Sequence, residues 1–258
     1  MAISKFFTVE VKPFIKASHQ AAGSAAFATD DVLFDWHSFQ IPRGPARLLS
    51  INVVFRGTDG ASQTVRDLDI FWAKSINGTA PATIGDANAT MSAAPVVGNH
   101  IIGMSHIETT EYGGDAVDYF NVAQTGSGAG ASIIPNLVLQ GESENDGNIG
   151  YDTIYMAACC GGAMSFGTTV LTRGAVSADA TSVPTDKGSD DDPDADLIFA
   201  VGDIIHSATD DVLGELTSIG AFSTNNQALG FSGGTAAVGD NEELFNVYPI
   251  KFVLSFEK

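Results

Sequence analysis

Blocks of apolar residues and blocks of turn-forming residues alternate along the first third of the chain. Segments 32–40, 48–56 and 68–74 are rich in Val, Ile, Leu, Phe and Trp. Stretches that contain Pro or Gly, at 42–45 and 57–60, separate these segments. Short apolar blocks divided by turn residues are typical of a β-sandwich or jelly roll, and not of strands that alternate with helices.

The rest of the chain continues this pattern with more polar connections. Further strands are predicted at 5–11, 101–110, 116–123, 136–140, 154–159, 165–172, 197–201, 212–219, 244–247 and 250–256. We expect 136–140 and 154–159 to form a hairpin across the polar turn between them. The 28 glycines and the scarcity of Lys, Arg and Glu argue against a helical protein. The predicted fold is therefore all-β, a jelly-roll-like β-sandwich with a smaller C-terminal β subdomain or insertion.

A change of composition at residue 174 suggests where that insertion begins. Residues 174–196 are almost all small, polar or acidic, and strands resume after them. We expect residues 1–173 to form the sandwich and 174–243 to form the small β subdomain with its acidic loop. Residues 244–258 are predicted to supply terminal strands that rejoin the main sheet.

Net charge restricts the partners that the chain can bind. The sequence holds 31 acidic and 12 basic residues, which gives a net charge of −19. A nucleic-acid-binding protein needs a basic face to displace counterions from phosphates, so we expect no nucleic-acid partner. No apolar run reaches the roughly 20 residues that span a bilayer, and the first residues lack a signal-peptide pattern. We therefore expect that the protein does not associate with membranes. We also expect that it is made in a cytoplasm.

The acidic run at 190–196 is the one candidate metal site. Asp190, Asp192, Asp194 and Asp196 alternate in a way that resembles the oxygen ligands of a calcium loop. An EF-hand counted from Asp190 would need Gly at position 195 and Glu at position 201, and the chain has Ala and Val there. An irregular calcium site stays open beside the simpler interpretation of a solvated acidic loop. We expect no cofactor.

No motif for catalysis is present in the sequence. The five histidines form no zinc-binding pattern, and neither a nucleophile elbow nor a phosphate-binding glycine loop occurs. Cys159 and Cys160 are adjacent, so we expect reduced thiols on a buried or edge strand, pointing to opposite faces. The chain is therefore predicted not to be an enzyme, with no catalytic residues.

Several segments of the chain together carry a resemblance to a known family. They are Phe39-Gln40-Ile41-Pro42-Arg43-Gly44 leading into Arg47–Ile51, Asp67–Lys74, Val201–His206, Asp211–Gly214 and Pro249–Phe256. These segments resemble the jelly-roll structural proteins of tailed bacteriophages, especially marine ones. The resemblance covers about half of the chain in scattered patches and includes no catalytic motif. It implies a decoration or cement protein of the capsid that binds the major capsid protein and other virion proteins. Such proteins are often homo-oligomers, with a trimer favoured, and no family site residue can be transferred to this chain.

The functional expectation is thus a non-enzymatic protein located in the virion, whose long loops 77–99 and 174–196 become ordered against the capsid. A phage tail or baseplate component is an alternative within the same class. A carbohydrate-binding β-sandwich module is another, and it would require Trp36, Trp72 or tyrosines exposed in a row. An enzyme on a β-scaffold, such as a cupin or a glycosidase, would require a cluster of histidines or carboxylates.

Overall fold

Two antiparallel sheets and a small closed barrel make up the fold, which confirms the prediction of an all-β sandwich with additional β-structure. The computed structural model describes residues 5–20, 27–56, 64–113, 120–126, 134–142, 150–167, 169–186, 194–221, 223 and 226–258. Among these residues, no helix is long and apolar enough to cross a membrane.

Fifteen strands and one α-helix follow each other along the described residues. They are β1 Phe6–Val11, β2 Val32–Pro42, β3 Ala46–Arg56, β4 Leu68–Ala73, β5 Ile101–Ile107, β6 Phe120–Gln124, β7 Leu137–Leu139, β8 Tyr151–Cys160, β9 Val170–Thr172, β10 Ser182–Asp186, α1 Ala195–Ile198, β11 Ile204–Ser207, β12 Val212–Ile219, β13 Asn226–Phe231, β14 Glu243–Asn246 and β15 Ile250–Glu257. Short 3-10 turns lie at Ala17–His19, Pro95–Asn99 and Thr109–Glu111.

The strand order of the two sheets is that of a jelly roll. The first sheet runs β1-β15-β3-β6, with β7 continuing the line of β6 along β3, and the second runs β2-β8-β4-β5. If β6 and β7 count as one interrupted strand, the eight sandwich strands in chain order give sheets 1-8-3-6 and 2-7-4-5. Strand pairs 1–8, 2–7, 3–6 and 4–5 form one long antiparallel ribbon, which is rolled up so that strands 3 and 8, and 4 and 7, become neighbours. This is the double-sheet architecture in which two Greek keys enclose a single core.

The core lies between the sheets and is filled by large aromatic side chains. Trp72 of β4 is fully buried, its indole Nε1 donates to Ser105 Oγ at 2.9 Å, and its ring packs edge-on against Phe39. Phe252 and Phe256 of β15 reach the same cluster from the opposite sheet. Strand β15 alternates strictly between buried and half-buried residues, which is the pattern of a strand that faces the core on one side only.

The barrel is inserted in the connection between β8 and β15. Its strands close in the order β10-β13-β12-β11-β14-β9, around a core of their own. The helix α1 contributes Ile198 to this core, and Phe199, the residue after it, also packs there. A closed barrel has no exposed strand edges, so the insertion needs no neighbouring strand to satisfy its backbone.

Three details of the predicted strand arrangement are wrong. Strand β9 and strand β14 belong to the barrel, so the inserted unit spans 170–246, and only β15 of the terminal segment joins the first sheet. The segment 197–201, predicted as a strand, begins within α1, and only its adjacent residues Ile198 and Phe199 are buried in the barrel core. The expected hairpin of 136–140 with 154–159 does not form, since β7 pairs with β3 and β8 pairs with β2 and β4.

Polar contacts join the barrel to the sandwich. The Arg56 guanidinium at the end of β3 forms an ion pair with Asp203 before β11. The segment 13–20, between β1 and β2, lies against the barrel, where the Ala17 backbone N–H donates to Asp210 Oδ1 at 2.6 Å. Gln20 Nε2 donates to the backbone oxygens of Ile15 and Asn246, so a side chain of this segment is bonded to β14. We call residues 13–20 the strap.

Candidate interaction surfaces

The outer faces of the two sheets differ in what covers them. The loop 77–99 folds back over the outer face of the second sheet, where Ile84 and Val97 are buried against Val32, Ala157 and Cys159. Both faces of β8 are therefore covered, and its last five residues are all buried. Loop 77–99 thus packs on its own chain, and the expectation that it becomes ordered against a capsid stays a prediction.

The outer face of the first sheet has no such cover among the described residues. Outward-facing positions of β1, β3, β6 and β15 are exposed or half-buried, whereas the inward-facing positions between them are buried, apart from half-buried Phe7, Val9 and Asn121. Phe120 and Val122 of β6 point outward on this face, in register with Arg56 and Val54 of β3. An apolar pair exposed on a sheet face is the kind of feature that marks a contact with another molecule.

These residues continue into a groove between the first sheet and the barrel. The groove encloses a cavity of about 340 Å³, lined by Val54, Arg56, Phe120 and Lys251 from the sheet and by residues 196–200 around α1. Its apolar wall includes Phe120, which is 41% exposed, and Leu197, which is 43% exposed. We call this feature the outer groove.

Two cations border the outer groove in an otherwise acidic chain. The Arg56 guanidinium is held by its ion pair with Asp203, and Lys251 Nζ lies 3.8 Å from Glu10 Oε1. The groove thus combines an apolar floor with a polar, charged rim, which is the usual composition of a protein–protein contact.

A second concave surface lies between the strap and the beginning of β2. This cavity of about 290 Å³ is lined by Phe14 and Lys16 of the strap and by Asp35, Trp36 and His37 of β2, among others. Trp36 is half-buried and its indole Nε1 donates to the Ala82 carbonyl oxygen at 2.7 Å, which fixes the ring. We call this cavity the Trp36 pocket.

The row of exposed tryptophans that a sugar-binding sheet face would require is not formed. Trp72, one of its two predicted members, is completely buried in the core. Trp36 alone reaches a cavity, and it does so beside the strap and not along a flat sheet face.

The acidic run is only partly described by the structure. Asp190 and Asp192 lie outside the described residues, whereas Asp194 is the N-cap residue of α1 and Asp196 lies in its first turn. Among the described residues, no group of three or more His, Cys, Asp or Glu side chains is arranged to hold a metal ion. The calcium site at these four aspartates stays a prediction.

The two thiols occupy the positions that the sequence predicts. Cys159 and Cys160 are unpaired and buried on β8, and they face different clusters, one under loop 77–99 and one in the sandwich core. Burial raises the pKa of Cys159 to about 12, with nearby Asp69 adding to the effect. Burial also raises the pKa of Cys160. Both side chains are therefore neutral thiols at physiological pH, which are poor nucleophiles and metal ligands.

Comparison of this chain with known protein families, curated proteins and solved structures finds no match in any of the three. The functional argument therefore depends on the surfaces described above and on the resemblance found in the sequence. Sequence analysis missed the outer groove, because its residues come from strands and from a helix that are distant in the chain. The signal that could have been noticed is the polar–apolar alternation of β6, which places Phe120 and Val122 on the same side.

Proposed function

We propose that this protein is a non-enzymatic structural component of a virion, a capsid decoration or cement protein that binds the major capsid protein. The observation that carries the proposal is the contrast between the two sheets. One outer face is covered by the chain's own loop, whereas the other is bare and ends in the outer groove. The resemblance to structural proteins of tailed phages supplies the identity of the partner.

The chemistry of the outer groove suits a partner protein. The apolar side chains of Phe120 and Leu197 are exposed to water, which is unfavourable. Contact with another subunit would bury them and remove this unfavourable exposure. Stable contacts of this kind bury on the order of 1,200–2,000 Å² in total, so the groove would be the centre of a larger interface across the first sheet. Several copies bound to neighbouring capsid subunits would stabilise the shell by joining them, and we favour a trimer as the oligomeric form.

Cosedimentation with capsids tests this proposal. Phage capsids that lack the protein are mixed with increasing amounts of the purified chain and pelleted, and light scattering measures its mass in solution. We expect saturable binding at a fixed ratio to the major capsid protein. Isolated tails, tested in parallel, distinguish the capsid from the alternative location in a tail or baseplate.

A pair of variants tests whether the chain binds capsids through the outer groove. Phe120→Glu places a charge on the apolar floor and should reduce the affinity for capsids at least tenfold. Val212→Glu on β12 is the matched control, because Val212 is 54% exposed and does not line the groove. Equal binding of the two variants would rule out the outer groove as the contact. Failure of the wild-type chain to bind either capsids or tails would reject the virion role itself.

A further inference from the structure

Strand β2 is irregular where it borders the Trp36 pocket. Its register with β8 shifts twice, between Val32 and Phe34 and again between Phe34 and His37. As a result Asp35, Trp36 and His37 are all half-buried in succession, where a regular strand would alternate between inside and outside. Bulges redirect side chains in this way and are over-represented next to functional sites.

Two aromatic side chains form the apolar part of the pocket. Phe14 of the strap is 46% exposed, and its other side is fixed by an edge contact with the His206 ring at 5.8 Å between centroids. Trp36 is held by its hydrogen bond to Ala82 and by packing against the cluster beneath loop 77–99. The aromatic surface is therefore rigid before any ligand arrives, which reduces the entropic cost of binding.

Polar groups with free hydrogen-bonding capacity surround these rings. Asp35 Oδ1 accepts from the Ile84 backbone N–H at 3.1 Å, and Oδ2 has no partner among the described residues. Among the described residues, neither ring nitrogen of His37 has a hydrogen-bond partner, and Lys16 forms no ion pair. Burial lowers the pKa of His37, so at neutral pH its imidazole is uncharged, with one donor and one acceptor.

The combination of these groups limits the class of ligand. A fully apolar ligand would bury Asp35 and His37 without hydrogen bonds, which is costly. A phosphate or nucleotide would meet the Asp35 carboxylate and a chain of net charge −19. A quaternary amine would be attracted to the aromatic rings but would be repelled by Lys16. A pyranose ring fits the set, because it offers an apolar face to the aromatic rings and hydroxyls that both donate and accept.

We propose that the Trp36 pocket binds a single pyranose unit of a saccharide, stacked on Phe14 or Trp36 and hydrogen-bonded to Asp35, His37 and Lys16. Its volume of about 290 Å³ lies at the lower end of the range for small-molecule sites, so it accommodates one ring and not an extended chain. This activity goes beyond the virion role and does not depend on it. A protein bound to a shell through the outer groove would keep this pocket free to contact a glycan.

Saturation-transfer NMR with methyl glycosides provides the test. The full chain is mixed with methyl glycosides of neutral hexoses, N-acetylhexosamines and hexuronic acids at about 10 mM each, a concentration that nearly saturates a site with a dissociation constant of about 1 mM. We expect at least one to show saturation transfer that is strongest at the protons of one ring face. The same sugar should shift the fluorescence of Trp36, the only partly exposed tryptophan of the two.

Matched variants decide whether the Trp36 pocket is responsible. Phe14→Ala and His37→Ala should each weaken binding of that sugar at least tenfold. Phe6→Ala and His106→Ala are the controls, since both residues are exposed, lie outside the pocket and leave its walls intact. Asp35→Asn, which keeps an acceptor for Ile84, should also weaken binding and shows that the carboxylate itself is used. The proposal fails if none of the glycosides binds, or if all five variants bind as the wild type does.

Discussion

Acidification should destabilise this protein through His206, a histidine buried where the strap meets the barrel. The side chain is fully inaccessible, and burial lowers its pKa from the ordinary value, although Asp210 acts in the opposite direction. His206 Nε2 lies 3.2 Å from Gln20 Nε2, which already donates to the backbone oxygens of Ile15 and Asn246. The imidazolium would direct an N–H at this amide nitrogen, which is itself a donor, so the charged form of His206 is disfavoured there.

The sign and size of the effect follow from linkage. Because the pKa of His206 is lowered in the folded state, the unfolded chain binds more protons below its own pKa of about 6.5, so stability is lost as the pH falls through that value. Between about pH 7.5 and pH 5.5 one such histidine can remove at most about 1.4 kcal/mol from the free energy of unfolding. The loss stops growing once the pH is below the folded-state pKa.

Other titratable groups near His206 set the design of the assay. Asp210 follows His206 by four residues, and its Oδ1 lies 3.5 Å from His206 Nδ1. The strap brings Lys16 and His19 to the same region. Burial also lowers the pKa of His19, so the wild-type pH dependence includes more than one histidine. The contribution of His206 is therefore read from the difference between wild type and His206→Gln.

Urea unfolding at both pH values, followed by far-UV circular dichroism and by tryptophan fluorescence, measures that difference. The His206→Gln variant should lose less stability on acidification than the wild type does, by at most about 1.4 kcal/mol, whatever its stability at pH 7.5. His106→Gln is the control, because His106 is an exposed histidine on β5 that contacts Asp69. An equal loss in the wild type and in His206→Gln would refute the argument that the buried imidazole is excluded from protonation.

Three further predictions concern the core, the thiols and the junction. Trp72→Ala should lower the free energy of unfolding by about 3–5 kcal/mol, since it empties a fully buried site, and a much smaller shift in urea unfolding would contradict the burial of this side chain. Cys159 and Cys160 should not react with Ellman's reagent at pH 8 until urea unfolds the chain, because burial raises the pKa of both thiols, and rapid reaction of the native protein would show otherwise. Arg56→Ala should uncouple the unfolding of the barrel from that of the sandwich by removing the ion pair with Asp203. Both tryptophans lie in the sandwich, so the test is whether the fluorescence and far-UV transitions separate in this variant while they coincide in the wild type.

The sandwich could be predicted from the sequence because its strands alternate with clear turn signals. Strands β2, β3 and β4 lie where the apolar blocks predict them, within two residues at each end. Strand β15 was predicted from its alternating Phe252, Leu254 and Phe256, all of which are buried. Local periodicity is sufficient in such segments because one face of each strand is in the core.

The barrel was harder to predict because its strands are short and polar. Strand β10, Ser182–Asp186, carries a proline and only one strongly apolar residue, Val183, which is buried in the barrel core. No strand is predicted between 212–219 and 244–247, yet residues 226–231 form β13 between β10 and β12. In a small closed barrel few side chains fill the interior, so the strands need few apolar residues and give little periodic signal.

The two concave surfaces could not be predicted from the sequence, for a different physical reason. The outer groove combines residues 54, 56, 120, 196–200 and 251, and the Trp36 pocket combines the strap with β2. The residues of each surface are brought together by the rolling of the ribbon and by the placement of the inserted barrel. Both are long-range features of the fold. A motif search tests residues that are close in sequence, whereas each surface combines segments that are far apart in the chain.

Neighbouring chain segments protect edges of the two sheets. This protection favours contact with a partner through the face of a sheet and not through a strand edge. Residues 88 and 89 partly occupy the edge of β2. The Val32 N–H donates to the Ala89 carbonyl oxygen, and the Val32 carbonyl oxygen accepts from the Asn88 N–H. On the opposite side, β5 and β7 of the two sheets approach so closely that a methyl group at Gly103 would lie 2.4 Å from a Leu137 methyl carbon. Strand addition needs a free edge, and these edges are blocked by neighbouring chain segments. A partner would therefore bind through side chains on the bare outer face of the first sheet, so variants there should change the affinity more than variants along the strand edges.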